Sequence, residues 1–238
     1  GSLWSKGILP LDSIEILENQ RGNDYIEVDK TTRLDWDTLR EKVKTQGMRN
    51  SNTMAIAPTA TIANITGLTQ SIEPTYSNLF VKSNLSGEFT VINMHLVDAL
   101  KEIDMWDEVM VYDLKNLNGS LESIARVPED IKKLFATSFE VEPKWLIEAA
   151  SRRQKWIDQS QSLNLYVSEP NGKKLDVMYR MAWLRGLKTT YYLRSRSATT
   201  TEKSTITNME LNAVKTEPKT YDQPEACSID DPDCEACQ

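Results

Sequence analysis

The three cysteines of the chain, Cys227, Cys234 and Cys237, all lie in its last twelve residues. Cys234 and Cys237 form a Cys-x-x-Cys pair, which in a reducing compartment is more often redox-active or metal-binding than structural. Two thiols at this spacing can form and exchange a disulfide. The neighbouring acidic residues disfavour the thiolate, so the pair is better suited to being reduced by another protein than to acting as a strong oxidant. A zinc site would need four ligands, whereas this segment supplies three cysteines and no histidine.

A run of small and hydroxyl-bearing residues, Ala57-Pro-Thr-Ala-Thr-Ile-Ala-Asn64, follows a short apolar segment. Small side chains allow backbone N–H groups to approach an anion, and Thr59 and Thr61 add hydroxyl donors. The run is therefore compatible with a phosphate-binding loop at the start of a helical turn. A threonine that caps the helix without any ligand is the plainer interpretation, and sequence alone favours it because threonine is a preferred cap.

Tyr191 and Tyr192 lie at the end of the last predicted strand. Phenols can pass on an electron together with a proton when their O–H groups are hydrogen-bonded. Adjacent residues of a regular strand point to opposite faces, so a relay through both rings requires the backbone to bend there. The plainer interpretation places one ring in the core and one at its rim, since aromatic residues are common in strands.

The composition is that of a globular protein with a core, since 39% of the 238 residues are hydrophobic and 26% are charged. Most of the net charge of −7 lies in residues 198–238, which hold nine acidic residues and three lysines. No basic patch indicates nucleic acid, and neither a membrane span nor a signal peptide is apparent. We therefore expect a cytoplasmic protein that binds neither nucleic acid nor membrane. The single histidine, His95, is predicted to be structural, which disfavours Ser-His-Asp or histidine-rich metal chemistry; we predict no metal site.

Hydrophobic periodicity predicts the elements that position these residues. Asp35 is expected to cap a helix that ends at Gly47, and the apolar run 53–57 predicts a buried strand. Residues 76–93 predict a hairpin that turns at 86–87. Further helices are predicted over 96–106, 129–135 and 143–157.

The segment 163–193 predicts a strand, a helix closed by Gly186 and a second strand. A crossover of this length makes the two strands parallel and right-handed, in a sheet covered by helices. The predicted fold class is α/β. Residues 1–197 are expected to form the ordered part, and residues 198–238 a flexible acidic tail that carries the cysteine pair.

Together these segments resemble the C-terminal part of the large, catalytic subunit of class I ribonucleotide reductases, which convert ribonucleoside diphosphates to deoxyribonucleotides by radical chemistry. The resemblance extends over essentially the whole chain, and its motifs occur in the order that the family has. These motifs are "GSLWSKGILPLD", "GMRNSNTMAIAPTATIANITG", "QSIEPTYSNLFVKSNLSGEF", "GLKTTYYLRSRSA" and "DCEACQ". The resemblance implies that residues 1–197 form the last part of a ten-stranded α/β barrel.

The resemblance also implies roles for the candidate residues. Thr59, Ala60 and Thr61 would contact the substrate phosphate through hydroxyls and backbone amides. Tyr191 and Tyr192 would relay a radical between a separate small subunit and the active site.

The terminal pair, Cys234 and Cys237, would re-reduce an active-site disulfide after each turnover and would itself be reduced by thioredoxin or glutaredoxin. A long flexible tether would let the pair reach both partners. This segment would bind no cofactor, because the family holds its metal or radical cofactor in the small subunit.

The family's radical cysteine, its other active-site cysteines, a nearby Asn and Glu and its allosteric domains would all precede residue 1. We therefore expect the chain to be incomplete and inactive without an N-terminal remainder of the large subunit. It is either an incomplete sequence or a naturally split or intein-processed subunit.

Two alternatives remain open. A non-enzymatic domain would bind a metal or a partner through Cys227, Cys234 and Cys237. A cobalamin-dependent reductase would share the phosphate loop and a cysteine tail, although the adjacent tyrosines favour a class that receives its radical from another subunit.

Overall fold

A computed structural model describes residues 1–85 and 87–196 of the chain. The predicted tail, with all three cysteines, lies outside the described residues. The elements within them are α1 (Ser13–Arg21), α2 (Trp36–Gln46), α3 (Ala60–Thr66), β1 (Leu79–Asn84), β2 (Gly87–Ile92), α4 (Met94–Glu102), α5 (Glu108–Asn116), α6 (Glu129–Leu134), α7 (Pro143–Gln154), β3 (Leu165–Val167), α8 (Gly172–Leu184) and β4 (Leu193–Ser195). This mixture of helices and strands agrees with the predicted α/β class.

The strands pair in two ways. β1 and β2 form an antiparallel hairpin, in which Leu79 lies opposite Ile92. β3 and β4 are parallel, in a register that places Leu165 opposite Leu193, and α8 connects them. The predicted hairpin and the predicted parallel strand–helix–strand unit are both confirmed.

The chain leading into β3 has a second neighbour, on the edge that faces away from β4. Ile56 and Gln161 form one parallel bridge. The Ile56 N–H donates to the Ser160 carbonyl at 3.3 Å, and the Ile56 carbonyl accepts from the Ser162 N–H at 2.8 Å. Residues 160–167 are therefore the middle of three parallel segments, with residues 54–56 on one side and β4 on the other.

The buried strand predicted over residues 53–57 is wrong in length and in burial. Only the single bridge at Ile56 forms, and the Met54 side chain is 54% exposed. The Asp158 carboxylate accepts from the Thr53 N–H at 2.6 Å and the Met54 N–H at 3.0 Å. Pro58 then has no N–H with which to extend the ladder. The Asp158 side chain thus binds the Thr53 and Met54 N–H groups, and Pro58 ends the strand pairing that the apolar run predicted.

The helix predicted between Asp35 and Gly47 is confirmed as α2. The Asp35 carboxylate accepts from the Thr38 N–H at 3.0 Å, and Gly47, at a φ of 77°, ends the helix. The helices predicted over 129–135 and 143–157 correspond to α6 and α7, which end at Leu134 and Gln154.

The helix predicted over 96–106 is shorter than expected, since α4 ends at Glu102 and Asp104 has a φ of 53°. His95 lies in the first turn of α4, with an exposed side chain. Sequence periodicity missed α1 and α5. For α5 the signal was Asp107, whose carboxylate caps the helix by accepting from the Met110 N–H at 2.7 Å.

Separate apolar cores hold the two sheets. One packs α7 and α8 against β3 and includes Ile147 and Leu165, each completely buried. Another includes Leu79 of β1 with Leu100 of α4 and Met110 of α5. The parallel pair β3 and β4 therefore rests on a helical layer of its own. In the described part of the chain, no helix is both long and apolar enough to span a membrane.

Candidate functional site

The predicted phosphate loop begins directly after residues 54–56, where the chain stops pairing with the segment that leads into β3. Thr59 occupies the position before α3, and its side chain makes no capping hydrogen bond to that helix. Its Oγ1 instead accepts from the Ser71 N–H at 2.9 Å. Accepting this bond leaves the hydroxyl proton of Thr59 available for donation. Ala60 and Thr61 are exposed in the first turn of α3, where backbone N–H groups have no partner within the helix.

The loop returns to the central segment through Glu73, a buried carboxylate. Glu73 Oε1 accepts from the Asn164 backbone N–H at 2.7 Å, and Oε2 accepts from the Asn164 side-chain amide at 2.9 Å. Oε2 also accepts from the Ser71 hydroxyl at 3.0 Å and the Tyr166 hydroxyl at 3.3 Å. Burial, and then the Glu73 charge, raise the pKa of Tyr166. Glu73 therefore fixes the end of the loop to the strand.

The backbone at the two tyrosines is bulged. With Leu165 opposite Leu193, a regular parallel ladder would have the Leu163 carbonyl accept from the Tyr192 N–H. It accepts instead from the Tyr191 N–H at 2.7 Å, while the Tyr192 carbonyl accepts from the Leu165 N–H at 2.8 Å. One extra residue thus lies opposite β3, which defines a β-bulge. A bulge interrupts the alternation of side chains along a strand.

The bulge brings the two phenol rings together. Their centroids are 4.1 Å apart with an angle of 50° between the planes, and the Tyr191 hydroxyl hydrogen-bonds to the Tyr192 hydroxyl at 3.4 Å. This hydrogen bond is the first cause that raises the pKa of Tyr191. The side chains are 47% and 53% exposed, and the Arg194 guanidinium lies 5.2 Å from the Tyr192 ring. The plainer interpretation, with one ring in the core, is therefore wrong.

Two of the three predicted groups can now be compared. The threonine loop, residues 57–72, and the tyrosine pair lie on opposite sides of residues 160–167. In that segment the Asn164 N–H donates to Glu73 on one side, and the adjacent Leu163 carbonyl accepts from the bulge on the other. Cys234 and Cys237 lie outside the described residues. Sequence reasoning gave Glu73 and Asn164 no role, because they lie 91 positions apart and no local spacing in the sequence pairs them.

Comparison with known proteins gives a consistent result. The family model described as "Ribonucleotide reductase, barrel domain" matches residues 1–193. The ribonucleoside-diphosphate reductase subunit alpha of Chlamydia trachomatis is 52% identical over 252 aligned residues, covering 100% of this chain and 24% of that protein. The corresponding subunit of Chlamydia muridarum is 59% identical over 206 residues, covering 87% of this chain and 20% of that protein.

A more distant relative and a solved structure agree. The ribonucleoside-diphosphate reductase large subunit of Plasmodium falciparum is 44% identical over 183 residues, covering 76% of this chain and 23% of its own length. The class Id ribonucleotide reductase alpha subunit of Actinobacillus ureae aligns with a TM-score of 0.58 at 26% identity, over 82% of this chain and 37% of that one. The chain thus spans about a quarter or less of the curated relatives named above.

Proposed function

This chain belongs to the ribonucleotide reductase large-subunit family, and we propose that it supplies the C-terminal part of an enzyme that reduces ribonucleoside diphosphates to deoxyribonucleoside diphosphates. Its match to the barrel-domain model over residues 1–193 carries the proposal. We further propose that the three parallel segments belong to a ten-stranded α/β barrel completed by an N-terminal remainder of the large subunit. In α/β barrels the active site lies at the carboxyl ends of the strands. The threonine loop begins at the carboxyl end of residues 54–56, so it lies at the corresponding edge.

The substrate phosphate is proposed to bind at Thr59, Ala60 and Thr61. Two observations support this role: Thr59 Oγ1 accepts a bond and keeps its proton for donation, and the backbone N–H groups in the first turn of α3 have no partner within the helix. Hydroxyl and amide donors can both serve anionic oxygens, and exposure of the loop leaves it accessible to a ligand.

The tyrosine pair is proposed to relay a radical from a separate small subunit. A phenol that loses an electron must also release its proton, and a neighbouring phenol oxygen at hydrogen-bond distance can accept it. The 3.4 Å contact and the partial exposure of both rings support transfer within the pair and access from outside. The metal or radical cofactor is proposed to reside in the small subunit, with none bound by this segment.

The electrons for the reaction are proposed to come from Cys234 and Cys237. Conversion of C–OH to C–H with loss of water consumes two electrons and two protons, which is what a dithiol releases on becoming a disulfide. Thioredoxin or glutaredoxin would reduce the tail pair again. The metal-binding alternative through Cys227, Cys234 and Cys237 and the cytoplasmic location stay predictions.

Reconstitution tests the proposal. The chain would be combined with the N-terminal remainder of a large subunit and a small subunit, and deoxyribonucleotide formation would be measured with thioredoxin as reductant. We expect turnover only when all components are present. A complete mixture that assembles but forms no product would contradict the proposed activity. We call the complete mixture of the chain, the N-terminal remainder and the small subunit the reconstituted reductase.

A further inference from the structure

The Glu73 carboxylate is only 8% exposed, yet four donors from two separate parts of the chain converge on it. Two of these come from Asn164, one from Tyr166 and one from Ser71. Burying a carboxylate costs free energy unless it is fully hydrogen-bonded. The four bonds compensate for this burial and fix the positions of the groups that donate them.

At Asn164 the Glu73 carboxylate provides the acceptor that a neighbouring strand would otherwise provide. The Asn164 N–H points to the same edge as the Ser162 N–H, which donates to the Ile56 carbonyl. Residues 57–72 leave that edge as the threonine loop, and the Glu73 carboxylate then accepts from the Asn164 N–H. The loop is thus closed at both ends against one strand.

The connection from Glu73 continues to Thr59. The Ser71 hydroxyl donates to Glu73 Oε2 at 3.0 Å, and the Ser71 N–H donates to Thr59 Oγ1 at 2.9 Å. Ser71 has a φ of 59°, which is uncommon for a residue with a side chain. The bond from the Ser71 hydroxyl to Glu73 and the bond from the Ser71 N–H to Thr59 hold Ser71 in that conformation.

We propose that Glu73 is a positioning residue for substrate binding: through Ser71 it holds the Thr59 side chain so that its hydroxyl proton points away from Ser71, towards the phosphate. The inference rests on the proposed phosphate role of Thr59. It adds that the Glu73 carboxylate is required for phosphate affinity although its charge repels the phosphate. The reason is that Glu73 accepts from the Ser71 hydroxyl and thereby keeps Ser71 in the position from which its N–H donates to Thr59. Glu73 makes no contact with the phosphate itself.

Glu73→Gln in the reconstituted reductase tests this role. An amide of the same shape has one acceptor oxygen in place of two and brings its own N–H donors against Asn164 and Ser71. We expect KM for the ribonucleoside diphosphate, and its Kd measured without the small subunit, to rise about tenfold, the loss of roughly one charged hydrogen bond. We expect kcat at saturation to change much less.

Ser71→Ala is the milder variant, because it removes the bond to Glu73 Oε2 and the 3.3 Å bond from the Glu73 N–H, and leaves both bonds to Asn164 in place. A rise in KM of about threefold is expected, smaller than for Glu73→Gln, because the Glu73 carboxylate keeps its bonds from Asn164 and Tyr166; the midpoint of thermal unfolding should fall by no more than a few degrees. Asp12→Asn is the matched control. Asp12 is a partly buried carboxylate that accepts from the Leu9 N–H at 2.7 Å and from Arg40 of α2, so its bonds join the N-terminal segment to α2 and not to the threonine loop. It should lower stability without altering KM.

The outcomes separate this inference from the proposed function. If Thr59→Val raises KM whereas Ser71→Ala and Glu73→Gln do not, Glu73 is merely structural and the inference is wrong. If none of the three changes KM or Kd, the loop does not bind the phosphate, and the proposed role of Thr59 fails with it. If Glu73→Gln does not fold, Ser71→Ala alone decides, since an unchanged KM in that variant overturns the inference.

Discussion

The hydroxyl oxygens of Tyr191 and Tyr192 lie 3.4 Å apart, although the residues are adjacent in sequence. A regular strand would place their side chains on opposite faces. One extra residue lies opposite β3, because the Leu163 carbonyl accepts from the Tyr191 N–H and not from the Tyr192 N–H, and this bulge removes the alternation. The bulge is therefore the structural condition for any proton exchange between the two phenols.

Replacing Tyr191 or Tyr192 with phenylalanine should abolish turnover in the reconstituted reductase while leaving the Kd for substrate unchanged. Phenylalanine keeps the ring and its packing but has no O–H to lose with an electron. Turnover and substrate binding would be measured on both variants. Tyr179→Phe is the control, because Tyr179 is 40% exposed on α8 and outside the pair. Near-normal turnover in both pair variants would show that the tyrosines only pack.

The double substitution of Thr59 and Thr61 by valine should raise KM for the ribonucleoside diphosphate at least tenfold. It removes two hydroxyl donors to a charged group, each worth about 1.5–3 kcal/mol. Valine matches threonine in shape, so α3 should be retained. Steady-state kinetics at varied substrate would measure the effect, and an unchanged KM would leave Thr59 as a residue that only precedes a helix.

The sequence predicted the parts of the fold that depend on local signals. Asp35 and Gly47 bound α2 as expected, and the alternation at 163–167 predicted β3. It did not predict the fate of residues 53–57, because the partner of their N–H groups is the Asp158 side chain, more than a hundred positions away. Apolar character favours a strand but does not reveal what competes for its backbone.

The candidate site was predictable in its residue types but not in its geometry. The adjacent tyrosines were evident, whereas the bulge depends on which N–H the Leu163 carbonyl accepts from. The threonine loop was evident too. Glu73 was not, since its role arises from a distant contact with Asn164 that no local spacing encodes.

Gly119→Ala should destabilise the chain by about 3 kcal/mol or more, through backbone strain and a clash. Gly119 has a φ of 77°, and a Cβ there would lie 2.5 Å from the Leu79 backbone nitrogen and 2.3 Å from Ser77 Oγ. This glycine lets the chain after α5 approach the start of β1. Urea unfolding would measure the loss.

Gly67→Ala is the matched control for that substitution. Gly67 has a similar φ of 69°, but nothing lies within 4 Å of the added Cβ. Only the cost of the left-handed conformation remains, about 1 kcal/mol. Equal losses at Gly67 and Gly119 would contradict the proposed close approach between α5 and β1.

Asp107→Asn should remove part of the acid sensitivity of the chain. The hydrogen bond from the Arg126 guanidinium, followed by that from the Met110 N–H, lowers the pKa of Asp107 from its ordinary 3.8 to about 2. A lowered pKa in the folded state gives stability that is present above pH 3.8 and is lost as the pH falls towards 2. Asparagine keeps the helix cap through its side-chain oxygen, but it removes the charge and one of the two oxygens that accept from Arg126.

The difference in unfolding free energy between wild type and Asp107→Asn should therefore shrink as the pH falls from about 5 to about 2. The Asp107 side chain is 46% exposed, so solvent screening limits the difference to less than about 1 kcal/mol. Urea unfolding at a series of pH values would measure it. A difference that stays constant with pH would show that the ion pair contributes no charge-dependent stability.

The tail cysteines can be tested by asking which reductant still supports turnover. If Cys234 and Cys237 carry electrons to a buried disulfide, changing either to serine should stop multiple turnover with thioredoxin and leave a single turnover in the pre-reduced reconstituted reductase. A small dithiol that diffuses into the site should restore part of the activity, because it bypasses the tail. Cys227→Ser should be nearly silent, since two thiols complete the exchange.

Metal binding by the same residues predicts a different pattern. Three thiolate ligands would contribute together to one site, so Cys227→Ser would be as damaging as Cys234→Ser or Cys237→Ser, and a small dithiol would rescue none of them. Zinc content measured alongside turnover would then be stoichiometric in the wild type and low in all three variants. Equal loss in the three variants would overturn the redox role. Selective loss at Cys234 and Cys237, with rescue by dithiol and no bound zinc, is the result that we expect, because only a pair of exchanging thiols makes Cys227 dispensable.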